Sequence, residues 1–148
     1  MHPAWGSYPD TVLHFPEAGL TVDLRQAISP HTRTALARLG LGRPFAVVTA
    51  CNPLGRFAGE AANSRLHAVL SAVVRSRYPG ARLAHGEAAS GSHLEPGWAL
   101  PISLDEVRQL AARFFQLGIF WFDGDRFFIE PVLATGPAVV LPVADASV

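Results

Sequence analysis

Lysine is missing from this 148-residue chain, and all twelve of its basic residues are arginine. That absence removes Schiff-base chemistry, a P-loop lysine and a kinase-type lysine from the range of mechanisms. Cys51 is the single cysteine, so neither an internal disulfide nor a multi-cysteine zinc site can form. Net charge is missing too, with twelve Asp and Glu against the twelve arginines. The long-range field that steers a protein to nucleic acid or to an anionic membrane is therefore absent, and a nucleic-acid partner is not expected. No apolar run reaches the ~20 residues that a membrane span needs. The opening MHPAWGSYPD has neither a basic region nor an apolar leader segment. These absences predict a soluble, cytoplasmic protein with no membrane partner.

What is present is apolar: 49% of the residues, enough for one core. The expectation is a single domain over residues 1–148, with a flank at 1–10, a core at 11–131 and a tail at 132–148. Thr11 to Phe15 and Leu20 to Leu24 alternate across Pro16-Glu-Ala-Gly19 and read as a hairpin. Ser29-Pro30 opens a short helix that Gly40 ends. Phe45 to Ala50 has the continuous apolar character of a covered strand. A helix from about Gly59 to Arg77 buries Leu66, Val69, Leu70, Val73 and Val74 and stops before Pro79. ARLAHGEA and HLEPGWAL read as strands joined by an ASGS turn, and Ser103-Leu-Asp-Glu106 is a capping box opening another helix. GIFWF and RFFIEP flank the Asp123-Gly124-Asp125 turn of a last hairpin. From Phe45 the order is β-α-β-β-α-β-β. The predicted class is thus α+β, a mixed sheet in ferredoxin-like split βαβ order, preceded by an N-terminal hairpin and short helix.

One polar corner stands out. In FAVVTACNPLGRFAGEAAN an apolar strand ends by presenting Asn52 and Pro53, and a helix follows the glycine-punctuated loop. Backbone N–H groups at such a loop and helix start suit phosphate or carboxylate, with Arg56 as a bidentate partner and Asn63 aimed back at the loop. The structural alternative is that Asn52 caps the turn, Pro53 fixes it and Asn63 satisfies loop carbonyls.

A second constellation depends on register. If the mid-chain hairpin pairs about Ser90, His85 lies opposite Glu95 and Glu87 opposite His93, all on one face. Such a set could hold a divalent metal or act in acid–base catalysis, and a one-residue slip would dissolve it. Its plain alternative is a solvated face of cross-strand charge pairs. Cys51 reads as a small buried residue. The run Phe114, Phe115, Phe120, Trp121, Phe122, Phe127, Phe128 reads as core or dimer packing in preference to a base-stacking platform.

FAVVTACNPLGR with AAN, HLEP and FFQLGIFWFDGDRF together resemble the bacterial domain of unknown function 3293 family, from roughly Tyr8 to Phe128. The resemblance rests on Thr49, Ala50, Asn52, Pro53, Asn63, Glu95 and Gln116, and it brings no assigned activity or cofactor. The leading expectation is a domain that binds a small polar or anionic, nucleotide-like ligand. Asn52, Pro53, Arg56 and Asn63 would hold it, with Glu95 and Gln116 as the remaining wall. The alternatives are a hydrolase using Glu95 or His85, with or without metal, and a homodimeric module whose Trp121 hairpin forms the shared edge.

Overall fold

The computed structural model describes residues 3–91 and 93–144; Met1, His2, Ser92 and residues 145–148, parts of the expected flank, turn and tail, lie outside the described residues. Local signals produce most of the elements. Thr11–Phe15 (β1) and Leu20–Asp23 (β2) form the first hairpin, closed by Gly19 at φ 58°. Ser29 Oγ accepts from Thr32 N at 3.1 Å and starts α1, Pro30–Arg38. After Phe45–Thr49 (β3) comes α2, Glu60–Arg77. The mid-chain hairpin consists of Arg82–Leu83 (β4), His85–Ala88 (β5), Leu94–Glu95 (β6) and Gly97–Leu100 (β7). Ser103 Oγ accepts from Glu106 N at 3.2 Å to cap α3, Leu104–Arg113. Gly118–Phe122 (β8), Phe127–Pro131 (β9) and Val139–Val140 (β10) complete the order.

The strands form two sheets, β2-β1-β5-β6 and β10-β9-β8-β3-β7-β4, and every recorded pairing is antiparallel. This corrects the single mixed sheet expected from the sequence. The cause lies in the mid-chain hairpin, whose β4 and β7 belong to the six-stranded sheet while β5 and β6 belong to the four-stranded one. It changes sheets at Ala84 and Pro96. Gly97 makes the crossing possible, because a Cβ there would lie 2.5 Å from Val48 O and 3.0 Å from Ala84 O.

Two cores follow from this layering. Leu13, Phe15, Leu20 and Val22 of the smaller sheet pack with Phe45, Val47, Phe122 and Phe127 of the larger one, and Leu36 of α1 joins them. On the other face of the larger sheet, Val48, Leu100 and Ile119 meet Leu70 and Val74 of α2 and Val107 and Leu110 of α3. Each such fully buried side chain contributes roughly 1.5–3 kcal/mol relative to exposure. Of the aromatic run, Phe122 and Phe127 are core, where Phe45 meets Phe127 edge-on at 5.8 Å and Phe122 at 5.2 Å. Phe114, Phe120, Trp121 and Phe128 are half-buried, and Phe115 is exposed, against the expectation of core packing. Among the described residues, no helix is long and apolar enough to cross a membrane.

Both ends of the described chain cover the sheets. Trp5 is buried against Gly118, and Tyr8 stacks at 5.4 Å on both Trp5 and Phe120. The β8–β9 hairpin, expected as a dimer edge, is paired on both sides, by β3 at Phe120 and by β10 at Ile129.

Candidate functional site

The strand β3 ends in a run of unusual backbone. Asn52, Leu54 and Phe115 have φ of 50°, 58° and 54°, and they are the three described non-glycine residues at positive φ. Leu54 N donates to Phe115 O at 2.7 Å, so the two strained segments are bonded to each other. Asparagine tolerates this region well and bulky residues poorly. Gln116, buried beside them, donates from Nε2 to Cys51 O at 3.1 Å and to Phe114 O at 3.2 Å, clamping the β3 exit to the α3–β8 loop.

This clamp presents Asn52 as the hub of a network. Its backbone N–H donates to Asn63 Oδ1 at 2.9 Å, and Asn63 Nδ2 donates back to Asn52 Oδ1 at 2.8 Å. Ala58 N also donates to Asn52 Oδ1, at 3.1 Å. A backbone N–H can only donate, so these bonds fix which way both amides point. Asn52 Nδ2 is therefore turned toward the mid-chain hairpin, where it donates to Glu95 Oε1 at 2.8 Å and lies 2.9 Å from His93 Nε2. His93 Nε2 and Glu95 Oε1 are themselves 3.2 Å apart. The ring nitrogen can accept from Asn52 in one tautomer or donate to Glu95 in the other, so a single proton selects between two bonded states.

Glu95 and His93 line a cavity of about 100 Å³ between the two sheets. Thr11, Leu13, Val47, Thr49, Tyr8 and Phe120 are among the residues that complete its wall. The Tyr8 phenol is pushed up to about 12, first by burial and second by the Glu95 carboxylate. The Cys51 thiol is also raised, again by burial first, which leaves it protonated and unreactive at neutral pH.

The expected residues separate into three groups. Asn52, Asn63 and Glu95 converge, and His93 joins them. Gln116 stands behind the corner as a clamp and does not line the cavity. Arg56 is exposed, and Pro53 starts the turn at 53–55. The loop N–H groups offered to an anion are largely spent: Leu54 on Phe115 O, Gly55 on Asn52 O, Arg56 on Pro53 O and Ala58 on Asn52 Oδ1.

The four-residue His/Glu face is corrected by one register step. The observed pairs are Gly86↔Glu95 and Glu87↔Leu94. Ala88 N bonds His93 O and Gly91 N bonds Ala88 O, so the turn centres between Ser90 and Gly91 and not on Ser90. His93 and Glu95 thus face the cavity, whereas His85 and Glu87 share the opposite face with His14, which lies 3.3 Å from Glu87. No group of three or more metal-binding side chains is assembled among the described residues.

Sequence reasoning missed what α2 does with its polar side. Asn63, His67, Ser71 and Arg75 recur every four residues. Asn63 bonds Asn52, Ser71 accepts from Trp98 Nε1 at 3.0 Å, and Arg75 lies 5.5 Å over the Trp98 ring. Between them, His67 and His85 are lowered, chiefly by burial, His67 next by His85 and His85 next by His14. The spacing was the available signal.

Fold and site together define an α+β protein of two antiparallel sheets with an Asn-Asn-His-Glu wall on the cavity between them. Residues 48–119 match the family model described as Protein of unknown function (DUF3293), which supports the resemblance to the domain of unknown function 3293 family. The seven residues on which the resemblance rested all lie inside the matched stretch. Neither the curated proteins nor the solved structures contain a match to this chain.

Proposed function

We propose that this domain binds a small polar molecule in the cavity between its sheets, with Glu95 and His93 as the contacting polar groups. Asn52 and Asn63 act as the bracket that orients them. The observation that carries this reading is convergence: residues 52, 63, 93 and 95, from three separate stretches, meet in one bonded network at the wall of an otherwise mostly apolar cavity. Few convergent polar groups on an apolar hollow is the usual composition of a ligand site. Strained backbone held by surrounding bonds supports the same reading, since such strain concentrates at functional corners. The strand order β8-β3-β7-β4 supports treating the larger sheet as a split βαβ layer that serves as the rigid base.

A thermal-shift screen of small polar metabolites tests this on the wild type, Asn52→Ala and Ala88→Leu, the last of which fills the cavity. A true ligand at a hundred times its Kd stabilises by about 2.7 kcal/mol. For a chain of this size that raises Tm by about 5–10 °C. The shift should shrink in both variants. No hit, or hits undiminished in both, removes the reading.

The hydrolase alternative takes a new form. Glu95 and His85 lie on opposite sheet faces, but the 3.2 Å contact of His93 with Glu95 favours that pair as an acid–base couple. Turnover of an ester or amide panel, lost in both His93→Gln and Glu95→Gln, would support it over simple binding.

A further inference from the structure

Resting on the reading of the cavity as the binding site, we propose that its ligand is a small organic cation, a primary ammonium on a short apolar body, seated on Glu95. The charge inventory of the wall points this way. Glu87 and Glu95 are its carboxylate residues, and no arginine lines it. Glu87 directs its own carboxylate to His14 on the other face of the sheet, which leaves Glu95 as the anion facing inward. Glu95 Oε1 receives Asn52 Nδ2, while Oε2 takes no hydrogen bond from the described residues. One oriented oxygen with unspent lone pairs is a receptor for a charged donor.

The same inventory disfavours an anion. The loop N–H groups of Leu54, Gly55, Arg56 and Ala58 are engaged internally, and the amide nearest the cavity already donates to a carboxylate. A phosphate or carboxylate placed there would meet the Glu95 carboxylate with no arginine on the wall to offset the repulsion. The rest of the wall suits an alkyl or ring body. Leu13, Val47 and Ile119 are apolar, and the packed Tyr8 and Phe120 rings continue that apolar wall. Tyr8 is partly buried and its phenol is raised chiefly by desolvation, which marks this end as poorly hydrated, where a charge pair is stronger than in water. With about 100 Å³ available, the body is a short chain or a single ring entering from the open side.

Three isosteres separate the possibilities: butylamine, butanol and butyrate. Each is titrated into the full chain, wild type and Glu95→Gln, by amide-resolved NMR read at Gly86, Ala88 and Gly118. Glu95→Gln keeps the shape and the oxygen that accepts from Asn52, so it folds without opening the corner. The expected result is butylamine at least tenfold tighter than the other two, falling to within about twofold of butanol in Glu95→Gln. Butanol equal to butylamine, or butyrate tighter, overturns the cation assignment while leaving the cavity a binding site. An amine preference that persists in Glu95→Gln also overturns it. If none of the three moves those amides, the cavity reading fails and this inference with it.

Discussion

Replacing Asn52 by alanine removes the hub of the corner in one step. Lost are the donations from Nδ2 to Glu95 Oε1 at 2.8 Å and toward His93 Nε2 at 2.9 Å, and those received by Oδ1 from Asn63 Nδ2 at 2.8 Å and Ala58 N at 3.1 Å. The backbone bond to Asn63 Oδ1 survives. At roughly 0.5–1.5 kcal/mol net for each bond, with water replacing part of a half-buried network, the side chain accounts for about 2–3 kcal/mol. Alanine at φ 50° adds about 1 kcal/mol, which glycine does not. Asn52→Ala should therefore lose about 3–4 kcal/mol and Asn52→Gly about 2–3. Urea unfolding followed by circular dichroism measures both, and the slope m should stay constant. A loss under about 1 kcal/mol in Asn52→Ala would refute the network, and equal losses in the two variants would refute the backbone contribution.

Other consequences are simpler to state. His67 and His85, each with an ordinary value of 6.5, are held below it, mainly by burial, so the unfolded chain binds protons first. Their contribution to stability is intact above about pH 6.5 and is lost as pH falls through the folded values; His67→Gln with His85→Gln should flatten that part of a Tm-against-pH profile. Gly118→Ala places a Cβ 2.8 Å from Trp5 Cη2 and 2.9 Å from Glu130 O, and should cost at least about 2 kcal/mol by denaturant titration, with Trp5 displaced. Cys51, 2% exposed with a raised thiol, should resist iodoacetamide at pH 8 in the native protein and react on unfolding.

The elements that sequence made legible are those fixed by near neighbours. Ser29 and Ser103 cap the helices they were expected to cap, and the hairpins at Pro16–Gly19 and Asp123–Arg126 follow turn chemistry contained in a few residues. The convergence of Asn52, Asn63 and Glu95 was legible only as a pattern of amides and a carboxylate, without the geometry that joins them. What could not be read is what distant contacts decide. The register of β5 with β6 turns on a one-residue choice at the small-residue turn that Gly91 N closes on Ala88 O, whose alternatives differ little in local energy. The sheet change at Gly97 depends on Val48 O, from a strand nearly fifty residues earlier. His93 entered the site because that register puts it there, and His85 left it for the same reason. The polar stripe Asn63, His67, Ser71, Arg75 was visible as spacing, but its apolar neighbour stripe carries the stronger helical signal.

The direct test of the account is a double-mutant cycle between Asn52 and Glu95, residues 43 positions apart in sequence and bonded at 2.8 Å. Stability of Asn52→Ala, Glu95→Ala and the double variant should reveal a coupling of about 1–2 kcal/mol, as for groups in one network. Additive losses, with coupling indistinguishable from zero, would mean that the two side chains do not meet and that the cavity wall described here is wrong.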